Sequence, residues 1–304
     1  MKLPASSRKV FDIFGKKSAT TGMFSTPVLR HYSQLNITKD NMIVEYGKLI
    51  IANRINAKLR KQKTSGTSEA IYNPKVLEMY DNVVWKFNSP ALWRINKADT
   101  YQLYKDCVGE NHCEIAVGTG LFMKDYVLDK DTPEHLSLAL CDLNKNTLDM
   151  AEQRIKESAA ASGKIVDLKT AIVDITSPGS IPSAMLHSYD SVAANFLLHC
   201  LHGGGLHDKV AGVQGCAALV KQDGWFFGST LLGRDLLADA HNAGPAAIKT
   251  VEFYNEIGIF GNKEDSMEDL ESVLKEVFSE VEVWRVGYCA AWKAKKPKGR
   301  ATLE

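Results

Sequence analysis

The sequence predicts an α/β fold, in which a seven-stranded sheet is parallel except for an antiparallel last strand and carries helices on both faces, with an N-terminal helical extension. Three observations lead to this prediction. Short apolar runs alternate with helical patterns from His112 onward. A glycine turn follows the first run, and the very short turn Gly287-Tyr288 joins the last two. Alternating strands and helices form parallel β-α-β units, whereas a tight turn makes its two strands antiparallel.

Seven apolar runs are the predicted strands, and the segments between them have helical periodicity. Leu148, Ala151 and Ile155 share one helical face, and Val273 and Val277 belong to another. The last two runs form the antiparallel pair. In chain order, the predicted strands are Cys113–Val117, Leu136–Cys141, Ile165–Val173, Ser191–Ala194, Trp225–Leu232, Val281–Val286 and Cys289–Trp292.

Composition excludes several classes of protein. The chain has 304 residues, of which 45% are hydrophobic and 24% charged, so it is neither disordered nor fibrous. No apolar run approaches the roughly 20 residues that span a bilayer, so we expect a soluble protein without a membrane span. The six cysteines are scattered, with no histidine at ligand spacing beside them. This pattern predicts reduced thiols and no metal site.

The net charge of +1 conceals an asymmetry along the chain. Residues 1–63 carry a formal charge of +10, and residues 64–304 carry a charge of −9. An acidic body repels the phosphate backbone of a nucleic acid, and phosphate contacts supply most non-specific affinity for nucleic acids. We therefore expect no nucleic acid as a partner of the body.

The basic N-terminal part predicts two segments. Residues 1–38 are predicted to be flexible and have the composition of a mitochondrial transit peptide, with Arg30 two residues before a cleavage point after Tyr32. An ordinary flexible tail on a cytoplasmic protein is the alternative, so the cytoplasm and the mitochondrial matrix both stay open. Residues 39–70 predict an amphipathic helix and a linker. This helix is expected to dock on the body or on a second subunit of a homodimer, with a lid or a nucleic-acid contact as alternatives.

A glycine turn ends the first predicted strand. Glycines at the carboxyl edge of a parallel sheet let a ligand approach the backbone. Gly118 and Gly120 form this turn, but Met123 occupies the position where a dinucleotide-binding turn has a third glycine. The turn also lacks the lysine of a phosphate-binding P-loop. The pattern therefore favours an adenosine ligand without phosphates.

Polar residues also end the next three predicted strands. Asp142 lies 22 residues after Gly120, where a carboxylate can accept both hydroxyl protons of a ribose. Asp174 ends the third strand and can accept from an adenine amino group, and Asn195 and His199 follow the fourth strand. Each of these residues alone is more often a helix cap or a turn residue. The ordered set, however, predicts one crevice that binds a nucleoside.

These motifs together resemble the class I S-adenosylmethionine-dependent methyltransferases, whose sheet is Rossmann-like. The resemblance rests on Glu114–Gly120, Asp142-Leu143-Asn144, Asp174-Ile175, Asn195–Leu201 and the C-terminal hairpin. Segments within 72–81, 195–201, 227–233 and 254–260 are similar to a small-molecule subgroup of this family. The resemblance implies S-adenosyl-L-methionine as the cofactor. It makes residues 71–110 helical cap elements, residues 111–296 the cofactor-binding domain and residues 297–304 a tail.

The resemblance also implies roles for the residues of the crevice. Gly118 and Gly120 would approach the methionine portion of the cofactor, and Glu114 would order the loop or reach the amino group through it. Asp142 would bind the ribose hydroxyls. Ala116 stands where the family has its first glycine, so its methyl group would have to face the sheet. The other cofactor-binding candidates are Thr119, Leu143 packed on the adenine, Asp174 and Ile175 at the adenine edge, and Asn195 and Phe196 after the fourth strand.

The methyl acceptor is predicted to be a small apolar or aromatic molecule that is methylated on oxygen, with nitrogen and carbon as alternatives. A hydroxyl must lose its proton during transfer, so His199 is the candidate base, and a buried core histidine is the alternative. Asn195 lacks the Pro-Pro-aromatic run with which amino-methylating nucleic-acid enzymes of this fold hold a flipped base. The candidate pocket residues are Tyr72, Tyr80, Trp93, Tyr254 and Phe260, of which we expect only some to face the acceptor.

Three alternatives change the function. A protein of this fold can use the bound cofactor or its pocket to steer a pericyclic or dehydration step without methyl transfer. The departure at Ala116 and the unexplained N-terminal part also permit a non-catalytic binding or assembly subunit. A nicotinamide-dependent oxidoreductase is the third alternative. Transfer of label from a methyl-labelled cofactor to a product would exclude all three.

Overall fold

Seven strands form one sheet in the computed structural model, which describes residue 77, residues 80–256 and residues 258–299. The strands are β1 (Asn111–Ile115), β2 (His135–Asp142), β3 (Ile165–Ile172), β4 (Tyr189–Asn195), β5 (Val220–Leu231), β6 (Phe278–Val286) and β7 (Cys289–Pro297). Their order across the sheet is β3-β2-β1-β4-β5-β7-β6. Neighbouring strands are parallel except that β7 is antiparallel to β5 and β6. The predicted fold class is therefore confirmed, including the antiparallel last strand.

Helices cover both faces of this sheet, because the strands carry apolar side chains on both sides. In β1, Cys113 and Ile115 face one core cluster, and the alternate residues His112 and Glu114 face the other side. The helices are α1 (Lys97–Cys107), α2 (Leu121–Leu128), α3 (Lys145–Ser162), α4 (Val210–Leu219), α5 (Gly233–Ala238), α6 (Ala240–Glu256) and α7 (Met267–Val277). The first three pack on the His112 face, and α4 and α7 pack on the Cys113 face.

The strand boundaries differ from the predicted ones where the backbone turns. The predicted first strand ends at Val117, but β1 ends at Ile115 because Ala116 adopts a left-handed backbone with φ of 57°. The fifth strand begins at Val220, before the predicted Trp225, because a register irregularity next to Ser191 lets its first residue pair with β4. Apolar periodicity does not reveal either feature.

A π-helix, Asp81–Trp93, precedes α1 and is called the cover helix below. The ring centroid of Trp85 lies 4.7 Å from that of Phe122, at the start of α2, and 4.9 Å from that of Phe196, just after β4. Both contacts are edge-to-face. The cover helix therefore lies over the carboxyl ends of β1 and β4.

Several predictions concern residues outside the described part of the chain. The leader at 1–38, the amphipathic helix and linker at 39–70, and the candidate pocket residue Tyr72 all lie there. The homodimer and the location of the protein in the cell also depend on these segments, so they stay predictions. Among the described helices, none combines the length and the apolar character needed to cross a bilayer.

Candidate functional site

The crevice lies between the carboxyl ends of β1 and β4, where the order of the strands reverses. Two non-glycine residues have left-handed backbones there: Ala116 after β1, with φ of 57°, and Phe196 after β4, with φ of 55°. Such a conformation costs an L-residue roughly 1–2 kcal/mol. Strained backbone of this kind concentrates at functional sites, and open α/β sheets bind their ligands at the reversal point.

The two glycines of the loop after β1 have different surroundings, although both have positive φ angles. A Cβ atom at Gly118 would meet no atom within 4 Å, whereas a Cβ atom at Gly120 would lie 2.8 Å from Cβ of Ala151. Gly120 therefore allows α3 to pack against the loop. Gly118 leaves its backbone open to a ligand.

Asp142 and Leu143 lie beside this loop, at the end of β2. Oδ1 of Asp142 accepts a hydrogen bond from the backbone N–H of Asn144 at 2.8 Å. Burial raises the pKa of Asp142, although the backbone N–H groups of Asn144 and Gly118 oppose the rise. Leu143 is 51% exposed. The pair offers a hydrogen-bond acceptor next to an apolar surface, which fits a ribose and its base.

Asp174 occupies the equivalent place after β3. Its Oδ1 accepts from the Thr176 backbone N–H at 3.0 Å and from the Thr176 hydroxyl at 2.6 Å, and its Oδ2 accepts from the Ser177 hydroxyl at 3.0 Å. Burial acts to raise the pKa of Asp174, but these hydrogen bonds outweigh it and lower the pKa. A carboxylate accepts about four hydrogen bonds, so Asp174 keeps capacity for an amino group. Ile175 is buried beside it.

Asp81 ties the cover helix to the glycine loop. Its Oδ1 accepts from the Thr119 hydroxyl at 2.6 Å, and its Oδ2 accepts from Nη1 of Arg154 at 2.7 Å. The same Arg154 atom donates to the backbone carbonyl of Thr119 at 3.0 Å. Thr119, a predicted cofactor-binding residue, is buried and fixes the loop through its side chain.

A buried polar network joins the two strands that flank the crevice. The Tyr104 hydroxyl, on α1, donates to Oε1 of Glu114 at 2.7 Å and accepts from Nδ2 of Asn195 at 3.1 Å. His112 Nε2 lies 3.2 Å from the other Glu114 oxygen, and the Ser229 hydroxyl donates to Asn195 Oδ1 at 2.9 Å. Burial and the Glu114 carboxylate raise the pKa of Tyr104 well above its ordinary value, so it stays a donor. This buried network therefore fixes the side chains of Glu114 and Asn195 on the two strands that flank the crevice.

His199 is buried at the far side of the crevice. Its Nδ1 lies 3.3 Å from the Thr230 hydroxyl oxygen, which also accepts from the His199 backbone N–H at 3.0 Å. Burial, with a smaller effect of the Lys209 cation, lowers its pKa to about 3. The imidazole is therefore neutral at physiological pH, whereas the sequence predicts a near-neutral pKa for this candidate base. Its role as a base stays a prediction.

The segment that follows α6, residues 258–266, is held against His199 by bonds over long sequence distances. The Gly261 backbone N–H donates to the His199 carbonyl at 2.9 Å. Lys209 and Asp265 form an ion pair of 2.6 Å in which both side chains are fully buried. Burial lowers the pKa of Lys209 and raises that of Asp265 to about 6. We call this pair the clasp.

Aromatic rings line the crevice from the cover helix to this segment. The Phe196 ring lies 5.6 Å from the His199 ring, which lies 4.6 Å from Phe260, and Phe260 lies 4.8 Å from Tyr254. Trp93 and Tyr254 are buried in the core cluster whose edge includes Phe196 and Phe260. The fourth described pocket candidate is Tyr80, whose pKa is raised by burial and by the nearby Cys200, Asp81 and Asp142.

The sequence did not single out six residues that shape this site. They are Asp81, Tyr104, Arg154, Lys209, Thr230 and Asp265. All of them act through hydrogen bonds or ion pairs to residues at least ten positions away in the sequence. The usable signal was at Asp81 and Thr230, which lie in the segments 72–81 and 227–233 quoted above.

Comparison with known proteins gives the following similarities, while no family model matches the chain. The chain is 30% identical over 226 residues to demethylluteothin O-methyltransferase of Streptomyces thioluteus, covering 74% of this chain and 90% of that protein. It is 31% identical over 230 residues to the physcion biosynthesis cluster O-methyltransferase of Aspergillus chevalieri, covering 75% of this chain and 95% of that protein. Among solved structures, PigF with SAH has a TM-score of 0.53 at 15% identity, covering 88% of this chain and 73% of that chain.

Proposed function

We propose that this chain, which belongs to the class I S-adenosylmethionine-dependent methyltransferases, methylates an oxygen atom of a small aromatic metabolite. The observation that carries the proposal is the crevice at the strand reversal point, which has an open glycine loop on one side and aromatic rings on the other. Two relatives, matched over 90% and 95% of their lengths, are O-methyltransferases, and one belongs to a biosynthesis cluster, which supports oxygen as the target and a secondary metabolite as the acceptor.

The residues after β1, β2 and β3 fit the cofactor. Gly118 leaves space for its methionine portion, Asp142 would accept from the ribose hydroxyls, and the exposed Leu143 would pack on the adenine. Asp174 has capacity for the adenine amino group, beside the Ile175 backbone. The carboxylates also suit a cationic ligand without phosphates. We call the part of the crevice after β1, β2 and β3 the cofactor side and the part after β4 the acceptor side. Asn195 and Phe196 lie at the point where the two sides meet.

The residues after β4 would align the acceptor. When bound, the cofactor would supply an electrophilic methyl group: the acceptor oxygen would attack its carbon in line as the carbon–sulfur bond breaks, S-adenosylhomocysteine would leave, and the hydroxyl proton would pass to a base or to solvent. Alignment of two reactants accounts for a large part of such a rate enhancement. A phenol has an ordinary pKa of about 10, so proton transfer to His199 with a pKa of about 3 is unfavourable by about seven units. A base role for His199 therefore requires that the bound acceptor raise this pKa.

The proposal is tested first at the cofactor side, with Asp142→Ala. Two hydrogen bonds from ribose hydroxyls to a carboxylate contribute about 1.5–3 kcal/mol each, so we expect binding of S-adenosylhomocysteine to weaken by about 100-fold or more. Isothermal titration calorimetry measures this change. Asp149→Ala, which removes an exposed carboxylate of α3, is the matched control and should bind as the wild type does. Equal affinity of the two variants would refute the ribose assignment.

Methyl transfer itself is tested with methyl-tritiated S-adenosylmethionine and a panel of planar phenols. Label in an aryl ether would support the proposed reaction. Label on nitrogen or carbon of other acceptors would correct the target atom. Binding of S-adenosylhomocysteine without any transfer of label would favour a non-methylating reaction or a binding subunit.

A further inference from the structure

Two neighbouring polar side chains of the cover helix are buried without hydrogen-bond partners. Asn88 is 2% exposed and Ser89 is fully buried. Within the described part of the chain, neither Oδ1 of Asn88 nor Oγ of Ser89 has a hydrogen-bond partner. More than nine in ten buried polar groups of proteins are paired, because an unpaired group loses its hydrogen bonds to water. Two adjacent buried polar groups without partners therefore need an explanation.

The cover helix presents both side chains on its inward face. Its buried residues include two adjacent pairs four positions apart, Asn88-Ser89 and Leu92-Trp93, and Ser89 lies four positions from both Trp85 and Trp93. The whole segment is π-helical, a rare geometry whose single-turn form is frequent at functional sites.

The two ends of the cover helix are anchored on opposite sides of the crevice. Asp81 is bound to the glycine loop through Thr119 and Arg154. At the other end, the backbone carbonyl of Trp93 accepts from the Tyr288 N–H at 2.9 Å, and Trp93 packs in the cluster that includes Tyr254. The Trp85 ring, one turn before Ser89, touches Phe196 at the end of β4. Asn88 and Ser89 lie on the helix between these two anchored ends, and both are buried.

We infer that Asn88 and Ser89 form a polar subsite that binds a second oxygen function on the methyl acceptor. This inference rests on the proposed function and makes the acceptor class more specific. Oδ1 of Asn88 only accepts hydrogen bonds, so the ligand must bring a donor, whereas a serine hydroxyl donates or accepts. The aromatic rings on both sides of the pair favour a planar molecule. The acceptor class is thus an uncharged planar aromatic with two or more hydroxyl groups, one methylated and one held by this subsite.

Such a subsite discriminates between acceptors. A site that is built to bind a substrate hydroxyl rejects the analogue that lacks it, because the buried groups of the site then stay unpaired. The test uses naphthalene-1,8-diol and 1-naphthol, which differ by one hydroxyl group. Calorimetry of each probe, on protein saturated with S-adenosylhomocysteine, gives a ratio of dissociation constants that does not depend on turnover.

We expect the wild type to bind the diol about 10-fold to 100-fold more tightly than 1-naphthol. Asn88→Leu and Ser89→Ala should each bring this ratio close to one, while the affinity for S-adenosylhomocysteine stays unchanged. Because each substitution removes a buried unpaired atom, the Tm should not fall and should rise for at least one variant. Ser89→Ala is the smaller change and serves if Asn88→Leu does not fold.

Thr100→Val is the matched control. Thr100 is also buried and its hydroxyl has no hydrogen-bond partner in the described structure, but it lies on α1, outside the cover helix. This variant should keep the wild-type ratio of dissociation constants. A wild type that does not distinguish the two probes, or two cover-helix variants that keep the wild-type ratio, would overturn the inference. Failure of the proposed function is separate, since it would show as absent binding of S-adenosylhomocysteine or absent transfer of label.

Discussion

The cofactor side and the acceptor side of the crevice are held together in different ways. After β2 and β3, Asp142 and Asp174 each accept hydrogen bonds from residues two or three positions further along the chain, and Asp142 also accepts from the Gly118 backbone N–H. After β4, the backbone of His199 is bonded to Thr230 and Gly261, and Lys209 is paired with Asp265. The two carboxylates of the cofactor side are therefore held largely by local turns, and the acceptor side is held by contacts between distant segments.

This difference has consequences for both sides. The local turns leave the carboxylates half-buried and Leu143 exposed. The acceptor side is buried and is held by several segments at once, so one substitution there affects contacts of more than one segment. We therefore expect stability to respond most strongly to changes on the acceptor side.

The largest expected effect comes from breaking the clasp. Lys209→Met leaves the Asp265 carboxylate buried without its partner, which costs about 3–5 kcal/mol of unfolding free energy in comparable buried pairs. Urea unfolding at pH 8 measures this loss. The loss should be smaller at pH 5, because Asp265, whose pKa is already raised to about 6, then takes up a proton. At both pH values the affinity for S-adenosylhomocysteine should change little.

The double variant Lys209→Met/Asp265→Leu separates the charge from the packing. It removes both buried charges, so most of the lost stability should return. The exposed pair of Lys275 and Glu271 on α7 is the matched control, and Lys275→Met should cost no more than about 0.5 kcal/mol. If the single and double clasp variants were equally unstable, the packing of these side chains and not their charge would hold the segment.

The sequence marks the candidate residues of the cofactor side more plainly than those of the acceptor side for this physical reason. The turns that contain Gly118, Asp142 and Asp174 are marked by residues close together in the chain, and strand order alone brings them to one edge. The clasp joins residues 56 positions apart, so no local sequence pattern predicts it. The pKa of the candidate base could not be predicted from the sequence either. His199 is buried and contacts Phe260, and this burial lowers its pKa.

A second, smaller effect is the pH dependence of stability that His199 confers. Its folded pKa of about 3 lies below the ordinary value of 6.5, so the unfolded chain binds more protons between these values. The stabilisation is fully present above pH 6.5 and is lost as the pH falls towards 3. Unfolding free energy should fall by about 1.4 kcal/mol per pH unit within this window, relative to His199→Gln.

The comparison with His199→Gln is needed because the raised pKa of Asp265 acts in the opposite direction near pH 6. Urea unfolding of both proteins at pH 7, 6 and 5 gives the difference between the two slopes. A difference near zero would mean that His199 titrates normally. In that case the imidazole would regain the base strength that the sequence predicts.

The smallest expected effect concerns Ala116, where the cofactor side departs from the family pattern. Its left-handed backbone costs alanine roughly 1–2 kcal/mol, whereas glycine adopts it freely. Ala116→Gly should therefore raise the unfolding free energy, by about 1 kcal/mol. The gain is smaller than the full strain because the loss of a half-buried methyl group offsets part of the relief. Ala139→Gly, in the regular backbone of β2, should instead lower it by about 0.5–1 kcal/mol. If both substitutions destabilised the protein equally, the loop would carry no strain, and the alanine would be there for its packing against the core on the Cys113 face.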